Sequence, residues 1–452
     1  MITVTSRATS RFLFLLLLPG FCRPSTGQAS QKPLAQMSAS ARQLIAIKVT
    51  GSKRFPETAI AAATGLQMGT SVGDDDFKKA ARRLGDTGAF ADIAYTFTYS
   101  SAGTKVEFQV TDGEKFVPAR FEDFVWFSDE ELRRRIKEHV PLFDGNLPLS
   151  GRLPDEVSDV LQAMLVENAI PGHVDYVRVG KQDQPVEAIS YSVSEVLIRV
   201  RHIEFAGAAE AEVPALEAAS QRLPEHQYSR SRMNLLVQHQ LLPVYYARGY
   251  LKAAFGEPQP KVVKPSEADA EDGPRNQTFV DVTFAVTPGL QYKLKGVEWS
   301  GNHEFPAETL QKMVLAEPGK PANSIRLADN LKEVQKLYGS RGYVTAAIKA
   351  NAEFDDASST AIFHLEVKEG YAYHMGELEF RGLDNSLTAK LRGAWKIRPG
   401  EVYDATYLDE YLPAAQKLLP VNFDWDVTSH VTANLRDKSV DVDLIYSVKA
   451  PK

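Results

Sequence analysis

Histidines and clustered carboxylates are the residues of this chain that could hold a metal ion. His226, Gln227 and His239 are close in sequence, and Asp74–Asp76 are consecutive. Zinc sites use closely spaced ligands such as His-x-x-x-His, and no such motif occurs among the nine histidines. The three aspartates precede a helical pattern that starts at Phe77, where acidic side chains stabilise a helix N-terminus. The sequence therefore predicts helix capping at Asp74–Asp76, no metal site and no cofactor.

Nucleophilic and phosphate-binding residues are equally sparse. Cys22 is the only cysteine, so no disulfide can form within the chain. The glycines at 65, 69 and 73 are not followed by the Lys-Ser/Thr of a phosphate-binding loop. Arg133–Arg135 lie in an acidic helical pattern that is typical of a solvated face. A net charge of -6 offers no basic excess for nucleic acid. The sequence predicts no catalytic residues and a protein that is not an enzyme.

Residues 1–29 have the pattern of an export signal. Arg7 and Arg11 precede the apolar run Phe12–Phe21, which is half the length of about 20 residues that a membrane-spanning helix needs. Cleavage after Ala29 would leave residues 30–43 as a flexible tether. An uncleaved anchor, a buried strand and a lipid-modified Cys22 are the alternatives. The pattern predicts an exported protein.

A strand that ends in glycine recurs along the chain. The clearest copies end at Gly51, Gly207, Gly301 and Gly382, and a degenerate copy starts at Ala119. The copies start roughly 75 to 95 residues apart, about the size of a minimal domain. This spacing predicts a string of small, similar modules, and such strings commonly bind and scaffold other molecules.

Each repeat has the pattern β-α-α-β-β, which is clearest in the fourth copy. Tyr292–Gly301 alternates as a strand, and the second of two helical patterns places Leu327 and Val334 on one side. The stretches Val344–Phe354 and Thr360–Gly370 then read as two strands. Two antiparallel helices are the smallest layer that covers the apolar face of such a sheet. The predicted class is α+β, with a three-stranded mixed sheet under two antiparallel helices in each module.

Five modules are predicted, the second of which is the most divergent. Their boundaries are 44–116, 117–196, 197–289, 290–371 and 372–449. In the third module, Pro243 lies inside the second helix and predicts a kink or break. The same module contains a stretch rich in proline and charge, 256–277, which is predicted to be a disordered insertion.

The module resembles the POTRA domain, a polypeptide-transport-associated module. The residues that carry the resemblance are Gly249–Tyr250, Gly342–Tyr343 and Val367–Gly370, together with the element order. Tandem copies resemble the periplasmic arm of BamA-type outer-membrane protein assembly factors. That family continues into a membrane β-barrel, and only four residues follow Val448 here. The chain is therefore expected to be a stand-alone POTRA protein, the product of a split or truncated gene, or a fragment.

An exposed sheet edge is the part through which such a module could bind another chain, because its unpaired backbone groups accept an added strand. In the family, the first strand of the terminal hairpin is the usual exposed edge. The matching stretches are 93–99, 174–179, 251–255, 346–353 and 423–431. We favour the first, which contains no charge and consists of Ile93, Ala94, Tyr95, Thr96, Phe97, Thr98 and Tyr99. A second interpretation, compatible with the first, is that its aromatic side chains form the module core.

The resemblance implies a non-enzymatic, chaperone-like scaffold in outer-membrane protein assembly or protein translocation. Together with the export signal, it predicts a location in the periplasm or at the periplasmic face of the outer membrane. Its expected partners are unfolded outer-membrane proteins or other polypeptide clients, and an outer-membrane barrel or assembly-complex lipoproteins. Neither nucleic acid nor a transmembrane segment in the mature chain is expected. The alternatives are an envelope or divisome scaffold with one dedicated protein partner, and the soluble half of a split outer-membrane transporter.

Overall fold

The computed structural model describes residues 2–7, 39–181, 184–221, 223, 227–264 and 276–448. The predicted apolar run, Cys22, the cleavage position and His226 lie outside these residues. The described chain divides into two compact units, one within 1–204, 223–234 and 258–283, the other within 205–222, 235–257 and 284–452. The division falls inside the predicted third module, and the module boundaries stay predictions.

The first sheet has four strands in the order β1-β3-β4-β2. Its elements are β1 (Ile2–Arg7), a 3-10 turn (Ala39–Arg42), β2 (Leu44–Thr50), α1 (Glu57–Ala63), α2 (Asp74–Asp86), β3 (Phe90–Ser100) and β4 (Gly103–Asp112). Strand β2 is parallel to β4, and β3 is antiparallel to it. Apolar residues of both helices, such as Ile60 and Phe77, pack on the sheet residues Val49 and Phe108.

The second sheet has the strand order β6-β5-β8-β7. Its elements are β5 (Phe116–Phe121), α3 (Asp129–His139), β6 (Asn146–Pro148), α4 (Leu153–Glu167), β7 (His173–Val179) and β8 (Ala188–Ser194). Helix α3 begins where the Ser128 hydroxyl accepts the N–H of Glu131, an N-cap that satisfies an otherwise unpaired amide. Buried residues of this sheet and of the first sheet belong to one continuous core, which runs from Leu44 to Val193.

The third sheet is built around β12, which pairs with β9, β10 and β11. Its elements are β9 (Leu197–Ala206), α5 (Val213–Ser220), α6 (Arg230–Leu236), a π-helical turn (Val237–Leu241), α7 (Leu242–Tyr246), β10 (Ala254–Phe255), β11 (Gln259–Val263) and β12 (Gln277–Thr287). The predicted irregularity near Pro243 is the π-helical turn, a wider turn that removes the clash a proline ring makes with an α-helical carbonyl.

The predicted disorder of 256–277 is wrong for Gln259–Val263. These residues form β11 and pair antiparallel with Phe279–Thr283 of β12. Their own composition is poor in large apolar residues, but β12 supplies a hydrogen-bonding ladder that the sequence pattern does not reveal. Residues 265–275 lie outside the part of the chain that the structure describes.

The last two sheets have three strands each, in the orders β13-β15-β14 and β16-β18-β17. Their elements are β13 (Lys293–Ser300), α8 (Ala307–Met313), α9 (Ser324–Ser340), β14 (Ala347–Asp355), β15 (Thr360–Lys368), β16 (His374–Arg381), α10 (Asn385–Ala394), α11 (Tyr407–Gln416), β17 (Trp425–Asn434) and β18 (Ser439–Val448). Strands β13 and β14 both pair with β15, the first in parallel and the second antiparallel. Strands β16 and β17 pair with β18 in the same way.

The predicted α+β class, with helices on mixed sheets, is confirmed. Leu327, Val334 and Tyr338 form the buried stripe of α9 and pack on Phe363 of β15. The prediction of three strands holds for the last two sheets only. The first sheet also contains β1 and the second also contains β6, and in the third both β10 and β11 pair with β12 in addition to β9.

Candidate functional site

Strand β3 carries the predicted binding residues, and it lies on the outer side of the hairpin that it forms with β4. The two strands pair antiparallel from Phe90 with Asp112 to Ser100 with Gly103. On its other side β3 pairs antiparallel with β1, from Ile2 with Tyr99 to Arg7 with Ala94. Apart from Ile2–Arg7, no described strand pairs with this side of β3. Within residues 44–112, β3 is therefore the edge strand of the sheet β3-β4-β2.

The aromatic side chains of β3 face the core. Ile93, Tyr95, Phe97 and Tyr99 are all buried, and the ring centroids of Phe97 and Phe77 of α2 are 4.9 Å apart. This alternation confirms the second interpretation of the strand, in which its aromatics form the module core. Only the backbone edge and the opposite face of β3 are left for contact with another chain.

A polar contact links the core-facing side of β3, here called its inner face, to the start of α2. The Tyr95 hydroxyl donates to Asp74 Oδ1 at 3.0 Å, and Lys78 Nζ lies 2.6 Å from Asp74 Oδ2. Asp76 accepts the N–H of Gly73 at 2.9 Å, which confirms the predicted capping role for Asp76, and all three aspartates lie in the first turn of α2. Burial raises the pKa of Tyr99, whose hydroxyl has no hydrogen-bond partner among the described residues. The inner face is neutral and closely packed.

The outer face of β3 lacks charge. Ala94, Thr96 and Thr98 are half-buried, and no ionisable side chain lies between Ile93 and Tyr99 except the two buried tyrosines. The corresponding strands of three other modules carry exposed charges: Asp175 and Arg178 on β7, Lys349, Glu353 and Asp355 on β14, and Asp426 on β17. Charged side chains on an edge discourage the addition of a further strand. Of these edges, β3 is therefore the least protected by charge.

The strand-ending glycines that define the repeat share one contact. Gly51, Gly207, Gly301 and Gly382 all have positive φ, between +73° and +99°. A Cβ atom at any of them would overlap a backbone carbonyl of the last strand in the same module: Val110, Val286, Val367 or Tyr446. Each glycine thus lets the chain leave its strand directly beside the partner strand.

The two Gly-Tyr pairs lie at the connections between modules. The N–H of Tyr292 donates to the carbonyl of Gly249, and that of Tyr373 to the carbonyl of Gly342, both at 2.8 Å. Tyr250 and Tyr343 pack edge-on against the tyrosine five residues before them, with ring centroids 5.9 and 6.1 Å apart. Gly249 and Gly342 thus each form a backbone hydrogen bond to the residue that precedes the next sheet, whereas the sequence assigned these residues only to the definition of the predicted modules.

Two features of the site were not predicted from the sequence. The pairing of Ile2–Arg7 with β3 joins segments that are distant in the chain and carries no local signal. The second is a set of polar contacts at the start of α6. The backbone carbonyl of Glu122 accepts the N–H of Arg230, and its carboxylate accepts the N–H of Ser231. The guanidinium of Arg230 donates to both carboxylate oxygens of Asp129, at 2.7 and 2.8 Å. Helix caps supplied from another module can be found only once the fold is known.

Metal ligands and membrane-spanning helices are not found in the described part of the chain. None of its residues forms a group of three or more His, Cys, Asp or Glu that could hold a metal ion. Within the same residues, no helix is long and apolar enough to cross a membrane.

The POTRA family, described as a surface antigen variable number repeat, matches residues 292–370. A Treponema pallidum (strain Nichols) protein named as an outer membrane protein assembly factor is 25% identical over 169 residues, which make up 37% of this chain and 19% of that protein. The alignment thus spans about a fifth of that relative.

Solved structures with similarity to the chain include POTRA domains 3–5 of Haemophilus influenzae BamA. They are 22% identical, the match covers 56% of this chain and 96% of that chain, and the TM-score is 0.42. POTRA domains 1–3 of the periplasmic domain of Omp85 from Anabaena are 19% identical with the same coverages and a TM-score of 0.23.

Proposed function

We propose, from the premise that residues 292–370 form a POTRA domain, that the protein is a non-enzymatic periplasmic scaffold. It binds extended segments of unfolded outer-membrane proteins by adding them to the edge of β3. The name of the Treponema relative, an outer membrane protein assembly factor, supports this client class. The proposal places the protein at the periplasmic side of the outer membrane, where such clients pass.

The observation that carries the proposal is the backbone edge of β3. It contains no charge from Ile93 to Tyr99, and among the described strands only β1 pairs with this edge, along six consecutive residues. Strand addition takes its affinity from main-chain hydrogen bonds. Each contributes only about 0.5–1.5 kcal/mol net, so a short added strand binds weakly. Weak binding with little dependence on side chains suits a scaffold that receives and releases many different clients.

A proline on β3 tests the proposal, because proline removes a backbone donor from the ladder. A photoreactive amino acid at position 98 should crosslink to outer-membrane proteins in cells that produce the full chain. We expect Phe97→Pro to lower the yield of these crosslinks by about tenfold. The N–H of Thr104 donates to the carbonyl of Gln43, on the side of β2. Because the backbone groups of neighbouring residues in a strand point to opposite sides, Val106 also faces β2 and its partner Phe97 faces the edge.

Two controls separate binding from folding. Phe97→Ala removes the same ring but keeps the backbone donor, and Ala350→Pro places the proline on β14, where residue 350 is exposed. Both variants should keep the crosslinks. If Phe97→Pro lowers the melting temperature of the purified protein more than Phe97→Ala does, Thr96→Lys with Thr98→Lys guards the edge by charge instead. Crosslinks that persist in a folded Phe97→Pro or double-lysine variant would show that β3 is not the client edge.

A further inference from the structure

The edge of β3 is already occupied by a segment of the same chain. Ile2–Arg7 pair with Tyr99–Ala94 in six consecutive register positions, antiparallel and without a bulge. The paired residues of β3 coincide with the binding residues predicted from the sequence, except for Ile93. Ile2–Arg7 also fall within residues 1–29, the predicted export signal.

We propose that Ile2–Arg7 act as an intramolecular ligand of β3 for as long as residues 1–29 remain attached, so that another strand pairs with this edge only after the segment has left or has been cleaved off. The inference rests on the proposed function, because it names what controls access to the same edge. It also identifies the class of partner that the edge accepts: an extended segment of about six residues, antiparallel to β3 and rich in β-branched residues.

Mutual exclusion follows from the hydrogen-bonding capacity of the backbone. Each residue of β3 has one N–H and one C=O, and those that do not point towards β4 are used by β1. A second strand therefore cannot pair with the same six residues while Ile2–Arg7 are in place. Because β1 is covalently attached, its pairing is intramolecular and competes with free strands at a high effective concentration.

The sequence of β1 suits this role. Ile2, Thr3, Val4 and Thr5 are β-branched residues, which favour extended backbone. No acidic residue is present, and the only charged residue, Arg7, lies at the end of the strand. An alternating, β-branched, nearly uncharged segment is also the pattern of a β-barrel strand. The segment therefore has the same local character as the clients that we propose for the edge.

The experiment uses the purified full chain with residues 1–29 retained. Thr3→Pro with Val4→Pro removes a donor from each of two adjacent residues, so one of the two always faces β3; Thr3→Ala with Val4→Ala is the matched control. We expect the double-proline variant to speed hydrogen exchange of the backbone amides within 93–99 by about tenfold or more, because uncovered edge amides lose their protection. The double-alanine variant should exchange like the unsubstituted chain.

A fluorescent peptide with the sequence of residues 2–7 provides the second measurement. Its affinity for the double-proline variant should exceed that for the unsubstituted chain by about tenfold or more. Equal exchange rates in all three proteins would overturn the inference, whether or not the peptide binds. Faster exchange without peptide binding would leave the inference standing and overturn the proposed function instead.

Discussion

Asp123 shows how the fold changes the chemistry of one carboxyl group. Its Oδ1 accepts the N–H of Val193 at 2.8 Å. Burial is the largest influence and raises the pKa of Asp123 to about 7; the hydrogen bond opposes this shift, and the charge of Glu122 adds to it. Since the folded-state pKa lies above the ordinary value of 3.8, the contribution of Asp123 to stability is fully present below about pH 4 and is lost as the pH rises through about 7.

Asp123→Asn should remove this pH dependence. The amide oxygen can still accept the N–H of Val193, and the side chain no longer ionises. At pH 8 we expect the variant to be more stable than the unsubstituted chain by about 1–3 kcal/mol, with a smaller difference at pH 5. Urea unfolding at pH 5 and at pH 8 measures the difference in unfolding free energy between the variant and the unsubstituted chain. Asp92→Asn, at an exposed position, is the control, and a stability gain that is equal at both pH values would contradict the prediction.

The strand-ending glycines act at the scale of the secondary-structure element. Gly382 has φ of +81°, and a Cβ atom there would overlap the carbonyl oxygen of Tyr446 on β18. We expect Gly382→Ala to destabilise its module by about 2–4 kcal/mol, because left-handed backbone costs a non-glycine residue about 1–2 kcal/mol and the overlap forces the two strands apart. The midpoint of urea unfolding measures the loss.

Gly400 provides the matched control for this substitution. Its φ is +83°, and a Cβ atom there would meet nothing within 4 Å. Gly400→Ala should therefore cost only about 1–2 kcal/mol. Equal losses of stability in the two variants would mean that the contact with the carbonyl of Tyr446 contributes nothing. The repeated glycine would then serve only to permit a positive φ.

The sequence predicts elements that depend on local patterns. The stripe of α9 and the alternation of β3 could be found because residues that share a face recur at fixed spacing. Features that depend on a partner distant in the chain could not be found in this way. Gln259–Val263 are ordered by β12, Ile2–Arg7 by β3, and the pKa of Asp123 by packing against β8. For the candidate site, the sequence indicated the strand and the burial of its aromatics, and missed the segment that covers its edge.

At the scale of the whole molecule, a short backbone contact joins the last two sheets. In the second compact unit, Gly342 has φ of +85°, and its carbonyl accepts the N–H of Tyr373. A Cβ atom at Gly342 would lie 2.8 Å from the carbonyl oxygen of Tyr373. We expect Gly342→Ala to loosen this joint and to speed cleavage by chymotrypsin at Tyr371, which is exposed, by about tenfold, because local opening controls proteolysis.

Gly319 is the control for the joint. It has the same φ of +85°, and a Cβ atom there would meet nothing within 4 Å. Gly319→Ala therefore repeats the backbone strain of Gly342→Ala away from the connection between modules. Cleavage at Tyr371 that rises equally in both variants would assign the effect to general destabilisation and not to the joint.

The charge-free edge of β3 has a further consequence for how the protein behaves at high concentration. An uncovered edge recognises any extended strand, including the same edge of a second molecule, and two such edges can pair antiparallel. A molecule without Ile2–Arg7 in place has lost its protection against self-association. If the proposed function holds, bound client segments would cover the edge and so also prevent this self-association.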